Sequence, residues 1–147
     1  MMGRYTFIAL ALAVLLGMGF WWSGSDDSSA PDAENVLDGP GRTMVDVTVP
    51  DTLSANAVIG KTAFEAKCAV CHGANAAGQD GVAPPLVHKI YEPSHHGDAT
   101  FLLAAKNGVR AHHWRFGNMP PVEGLTDGDV KMIIAYVREL QSANGIN

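Results

Sequence analysis

The 147-residue sequence predicts a small all-α domain preceded by an N-terminal apolar segment and a flexible acidic linker. Apolar residues recur at helical spacing in several segments of the second half of the chain, which predicts three to four helices. Long stretches rich in Gly, Ala, Pro and His separate these segments. Because loops this long in a compact domain usually enclose something, we expect them to surround a ligand.

The N-terminus predicts export. Residues 6–22 carry no charge, which is typical of a signal peptide or of a short membrane span. Trp21 and Trp22 favour an uncleaved anchor at residues 1–22, because indoles settle at membrane interfaces. Arg4 is expected to stay inside. We therefore expect a single-pass inner-membrane protein with its folded domain in the periplasm. Cleavage to give a soluble periplasmic protein is the alternative.

Residues 23–53 predict a flexible linker, because they are rich in Ser, Asp, Pro and Gly and carry a net charge of −6. Residues 54–147, the predicted folded domain, contain equal numbers of acidic and basic residues. This balance argues against a nucleic-acid partner. Val45, Val47 and Val49 alternate with other residues, which fits either a short edge strand or an extended tail against the domain.

Capping residues mark the helices of the domain. Ser54 is a predicted N-cap for a first helix that runs into Cys68. Asp98 is predicted to cap a second helix, which Gly108 closes. Thr126 is predicted to cap the last helix. The apolar stripe of that helix comprises Val130, Ile133, Ile134, Val137 and Leu140.

The sequence Cys68-Ala69-Val70-Cys71-His72 has the pattern C-x-x-C-H, the attachment signature for c-type haem. Residues i and i+3 of a helix lie on one face, so two thiols at this spacing can each bond one vinyl group of the same porphyrin. His72 then lies under the iron and offers an imidazole nitrogen. The pattern predicts one covalent haem c.

The sequence disfavours two other uses of the cysteines. A zinc site needs about four ligands, and a second cysteine pair is missing. A thioredoxin-like pair would need a βαβ context, which the sequence does not predict. Both are therefore disfavoured.

With this motif the sequence resembles the cytochrome c family, in its short single-haem form, over about residues 57–142. Gly60 and Phe64 precede the motif as they do in that family, where this helix packs on the C-terminal helix. Tyr136 matches the aromatic residue of the latter. The resemblance implies a small cytochrome c fold wrapped around one haem, and an electron carrier rather than an enzyme.

The resemblance also implies the surroundings of the iron. Pro84-Pro85-Leu86 resembles the stretch whose proline carbonyl accepts the second imidazole N–H; alignment favours Pro84, with Pro85 as the alternative. Met119 resembles the distal ligand opposite His72. A histidine, with His112 and His113 closest in sequence, and an open sixth position are its rivals.

The other aromatic and basic residues of the loops have weaker assignments. Trp114 is expected to cover the haem edge, and Arg115, like Arg110, to pair with a propionate. Five histidines lie outside the motif, and they are interpreted either as surface residues or as a second metal site, with copper as a candidate. Adjacent histidines on a strand point in opposite directions, so each pair is expected to supply one ligand. These histidines are His88, His95, His96, His112 and His113.

Electron transfer between redox partner proteins, such as an oxidase, a reductase or a dehydrogenase, is the leading functional hypothesis. A sulfur ligand and an imidazole together would leave no position on the iron for a substrate. The alternatives are a haem- or copper-binding subunit or sensor of a redox enzyme. Binding of carbon monoxide to the reduced protein would distinguish a sensor from a carrier.

Overall fold

A computed structural model describes residues 41–147 of the chain. Within this part the protein is helical and has no β-strands; pairing is limited to isolated antiparallel bridges. This confirms the predicted all-α class. The helices are α1 (Ala55–Lys67), the one-turn α2 (Ala69–His72), α3 (Asp98–Asn107) and α4 (Asp127–Ala143), with 3₁₀ turns at Ala74–Ala76 and Lys89–Tyr91.

The predicted caps of α1 and α4 are present. The hydroxyl of Ser54 accepts a hydrogen bond from the N–H of Ala57 at 3.2 Å. Thr126 and Asp129 form a reciprocal capping box at the start of α4. At α3 the cap is Gly97, and Asp98 is instead the first helical residue. There its carboxylate still faces the positive end of the helix dipole.

Helices α1 and α4 form the core. The rings of Phe64 and Tyr136 lie 5.7 Å apart, and both side chains are fully buried. A Cβ placed on Gly60 would lie 1.8 Å from the carbonyl oxygen of Met132. The two backbones therefore approach each other as closely as glycine permits, which explains why this residue type occurs where the helices cross.

Replacing Gly60 by alanine is expected to destabilise the protein by at least about 2–3 kcal/mol, because the new methyl group overlaps backbone atoms that no rotamer change can move. Urea unfolding of the haem-loaded protein, followed by far-UV circular dichroism, measures the change. Gly128→Ala in α4 is the matched control. A Cβ there meets only the Thr126 hydroxyl, at 3.4 Å, so its effect should stay within about 1 kcal/mol. Equal destabilisation by the two variants would contradict the argument.

Residues 41–53 differ from the predicted flexible linker, because they are hydrogen-bonded to the domain. The N–H groups of Met44 and Val45 approach the carbonyl of Ala77 at 3.3 and 3.2 Å. Thr48 exchanges two hydrogen bonds with the side chain of Asn144. Of the two predictions for residues 45–49, the extended tail against the domain is the one observed. The rest of the predicted linker, residues 23–40, lies outside the described residues.

The predicted inner-membrane location requires correction. None of the helices within residues 41–147 is long and apolar enough to cross a membrane. The longest, α4, has 17 residues and carries charged side chains from its first turn onwards. Residues 1–22, on which the anchor prediction was based, lie outside the described part of the chain.

Candidate functional site

The two cysteines lie where α1 passes into α2. Cys68 is the C-cap of α1, and its carbonyl accepts hydrogen bonds from the N–H groups of Cys71 at 3.1 Å and His72 at 2.9 Å. The chain therefore stays helical through the motif. Both thiols are free; Cys68 is half-buried and Cys71 is exposed. They are thus available for bonds to a partner other than each other.

The surroundings of Cys68 keep its thiol protonated. Burial, with a further contribution from the charge of the neighbouring Cys71, raises the pKa of Cys68 from 9.0 to about 11. A disulfide-exchange centre needs a thiolate at neutral pH and usually has a lowered pKa. The environment of Cys68 therefore does not suit a thioredoxin-like role.

His72 is buried, and one of its two ring nitrogens makes a hydrogen bond to the backbone. Nδ1 lies 2.8 Å from the carbonyl oxygen of Pro84. Because a carbonyl only accepts, Nδ1 must carry the hydrogen, which leaves the lone pair of Nε2 free to bind a metal. Burial lowers the pKa of His72, against the opposing effect of the hydrogen bond to Pro84. The imidazole is therefore held neutral and oriented, as a metal ligand must be.

The Pro84 carbonyl is itself held in place by tight packing of the loop that follows His72. Pro85 is fully buried, and a Cβ on Gly78 would lie 2.5 Å from its nitrogen. Gly78 has φ +77 and donates to the carbonyl of His72 at 2.7 Å. Tyr136 of α4 donates to the side chain of Asn75 in the same loop, at 3.0 Å. Helix α4 thus fixes the loop that orients the imidazole.

Met119 lies at the base of a separate loop. Its backbone N–H and C=O pair with those of Val109, both at 2.9 Å. Within the loop, the N–H of Ala111 donates to the Asn118 side chain at 2.9 Å. A Cβ on Gly108 would lie 2.5 Å from the Met119 carbonyl. The backbone position of Met119 is therefore fixed, and its side chain is half-buried.

The buried indole nitrogen of Trp114 has no hydrogen-bond acceptor among residues 41–147. Nε1 makes no hydrogen bond of ordinary geometry with the described residues. Burial raises the pKa of Tyr91, and the nearby indole N–H of Trp114 opposes this rise. The indole packs against His88, with ring centres 5.3 Å apart, and stacks on Phe116 at 5.7 Å. An unpaired buried donor marks a place where an absent acceptor belongs.

These features fit a covalently bound haem. Two free thiols lie one helical turn apart, and a neutral imidazole follows with its Nε2 available. The Trp114 N–H has no acceptor within the described part of the chain, and a propionate would provide one. Arg115, predicted to pair with a propionate, is exposed, and so is Arg110.

The five remaining histidines do not behave alike. His88 caps the turn at Lys89–Tyr91, where its Nδ1 accepts from the N–H of Ile90 at 3.2 Å. The other four form a continuous set of ring contacts, from His112–His113 at 4.2 Å to His96–His112 at 6.1 Å. Partial desolvation by the neighbouring rings, followed by the charges of His112, His96 and His95, lowers the pKa of His113.

Two polar residues of α4, which the sequence analysis did not identify, hold the loops around the site through hydrogen bonds. Arg138 donates to the Asp98 carboxylate at 2.9 Å and to the carbonyl of Tyr91 at 2.8 Å. Gln141 is fully buried and donates to the carbonyls of Leu86 at 2.8 Å and Tyr91 at 3.0 Å. Gln141 follows Val137 by four positions, and this helical spacing is the signal that could have placed it on the buried side of α4.

Comparison with known proteins agrees with this geometry. The Cytochrome c family model matches residues 57–141, which is more than half of the chain. The protein belongs to the cytochrome c family; it binds haem c covalently and is a haem-based electron-transfer protein. It is similar to cytochrome c-554(547) of Halothiobacillus neapolitanus, with 32% identity over 96 residues. That match covers 60% of this chain and all of the relative.

Proposed function

We propose that the protein is a one-electron carrier whose haem is attached through Cys68 and Cys71, with His72 and Met119 as the axial ligands of the iron. When bound, haem c supplies an iron that alternates between Fe(III) and Fe(II). The contact between His72 Nδ1 and the Pro84 carbonyl is the observation that carries the proposal. It orients Nε2 and makes it a stronger donor to the iron.

Met119 is favoured over a histidine as the second ligand by the contacts of its rivals. The ring of His112 lies against those of His96 and His113, at 6.1 and 4.2 Å. The ring of His113 lies against those of His95 and His96, at 5.5 and 5.2 Å. The backbone of Met119, by contrast, is fixed at the end of the loop by its two hydrogen bonds with Val109. A thioether at this position favours Fe(II) and raises the reduction potential.

Transient encounters with redox partner proteins are proposed to take place beside the attachment motif. Val70, between the two cysteines, is 77% exposed, and the neighbouring Cys71 is also exposed. The carbonyls of Ala69 and Val70 are held by the side chain of Gln79. An exposed apolar side chain on a well-held backbone beside the attachment motif suits brief contacts with an oxidase, a reductase or a dehydrogenase.

Carbon monoxide tests the proposal against the alternative of a ligand-binding sensor. If His72 and Met119 both bind the iron, the reduced protein should bind the gas slowly and incompletely, because no coordination position is free. Stopped-flow mixing of dithionite-reduced protein with carbon monoxide, followed in the Soret region, measures this. Rapid, complete binding would support a sensor and overturn the carrier assignment. Met119→Ala provides the positive control, since it should open the sixth position.

A further inference from the structure

Three histidines from two separate loops converge at the surface of the domain. The ligand nitrogens of His95, His96 and His113 all lie within 4.8 Å of one another. His95 and His113 are exposed, and His96 is half-buried. Neither His72 nor Met119 belongs to this histidine cluster, so the cluster shares no residue with the proposed ligands of the haem iron.

The first of the two loops is held firmly enough to preorganise its histidines. The N–H groups of His95 and His96 both donate to the carbonyl of Glu92, at 3.0 and 2.8 Å. Arg138 of α4 donates to the carbonyls of His96 and Tyr91. Because residues 92–96 form a turn and not a strand, the expectation that adjacent histidines point apart is wrong here. Both rings face the same group of ligand atoms.

The tautomer of His96 is set by the backbone. Its Nδ1 lies 2.6 Å from the carbonyl oxygen of Ile90, so Nδ1 must carry the hydrogen and Nε2 keeps its lone pair. A metal-bound histidine ordinarily has its second ring nitrogen donating to a carbonyl or a carboxylate in this manner. Histidine rings that only pack against each other at a surface do not need this hydrogen bond from Nδ1 to a carbonyl.

His113 belongs to the loop between Val109 and Met119, which is closed by the backbone pair at its base and by the contact of Ala111 with Asn118. The ring of His112 lies 4.2 Å from that of His113. The cluster therefore joins two loops that are distant in sequence, and a fourth imidazole lies beside it.

We propose that His95, His96 and His113 bind one divalent transition-metal ion of the class that prefers imidazole, represented by Zn²⁺ and Cu²⁺. Three protein ligands and one exchangeable water complete a tetrahedral zinc site. With metal–nitrogen distances of about 2.0–2.1 Å, the three nitrogens would be about 3.4 Å apart. Rotation of the exposed side chains of His95 and His113 can bring the ligand nitrogens from their observed spacing, within 4.8 Å, to this shorter distance.

The bound ion would link the turn at residues 92–96 to the loop that ends at Met119. His113 precedes Met119 by only six positions, and the base of that loop is paired backbone to backbone. The site thus goes beyond the electron-carrier function: it adds a second metal and a cross-link between the two loops.

Metal binding to the haem-loaded protein tests the proposal. Zn²⁺ is titrated calorimetrically, and Cu²⁺ is followed by electron paramagnetic resonance, where imidazole nitrogens produce superhyperfine splitting. We expect one ion per chain. His95→Asn and His113→Asn, which change different loops, should each weaken binding at least tenfold, because even the loss of an outer-sphere partner costs about 10–100-fold.

His88→Asn is the matched control. Asn retains an acceptor for the N–H of Ile90, and His88 lies outside the cluster, so the affinity should be unchanged. The haem spectrum shows that each variant is folded, and it also separates this test from the electron-carrier proposal. Absence of binding, affinity unchanged in His95→Asn and His113→Asn, or equal weakening by His88→Asn would each overturn the site.

Discussion

Simultaneous replacement of Cys68 and Cys71 by serine is expected to eliminate covalent haem, reducing it from one group per chain to none. The thioether bonds form between cysteine sulfur and the porphyrin vinyl groups. A serine hydroxyl is too weak a nucleophile to form the corresponding bond in place of the cysteine sulfur. Expression with a haem-maturation system, followed by acid–acetone extraction and intact-mass spectrometry, measures the result. The variant should have apoprotein mass and lose its colour on extraction.

A loss of haem from the double variant could also arise from general damage to the motif, so a control is needed within it. Val70→Ala changes the residue between the cysteines while keeping both thiols. Because Val70 is 77% exposed, this change removes little packing and should leave attachment complete. Haem that remains bound to the double variant after extraction would contradict attachment through these two residues.

Met119→His is expected to lower the reduction potential by on the order of 0.1 V or more, within the roughly 0.8 V range that axial ligands control. A thioether stabilises Fe(II) relative to imidazole, so its replacement favours Fe(III). The oxidised variant should also lose the weak absorption band at the red edge of the visible spectrum that marks iron–sulfur ligation. Potentiometric titration and absorption spectra measure the two effects.

Met132→Leu provides the matched control for this prediction. Met132 is half-buried in α4, and its carbonyl faces Gly60, so leucine should conserve the packing at a cost below about 1.5 kcal/mol. Both the band and the potential should be retained. If Met132→Leu abolished the band and Met119→His did not, the assignment of Met119 would be excluded. His112→Asn should likewise retain the band.

Much of the fold followed from local patterns. Ser54 and Thr126 were recognised as caps because the hydrogen bonds of a helix start involve residues two or three positions away. The stripe of α4 was visible because helical periodicity is a property of consecutive residues. The predicted start of α3 was off by one position, since either Gly97 or Asp98 can occupy a cap.

Other features could not be predicted, because they depend on how distant segments meet. Residues 41–53 were assigned to a linker by composition, yet their backbone hydrogen bonds with Ala77 and Asn144 hold them against the domain. The hydrogen bonds by which Arg138 holds the carbonyls of Tyr91 and His96 could not be predicted for the same reason. Its carbonyl acceptors are 42 and 47 residues away in sequence, and no local spacing identifies them.

The sequence by itself was enough to predict haem attachment through Cys68 and Cys71, because the spacing of these residues and His72 is a property of one helical turn. Only the tertiary structure decided that the carbonyl of Pro84, and not that of Pro85, contacts the imidazole, and that His95 and His96 meet a histidine from another loop. The physical reason is that contacts within a turn follow from backbone geometry, whereas contacts between loops exist only after α1 and α4 have packed and fixed the ends of those loops.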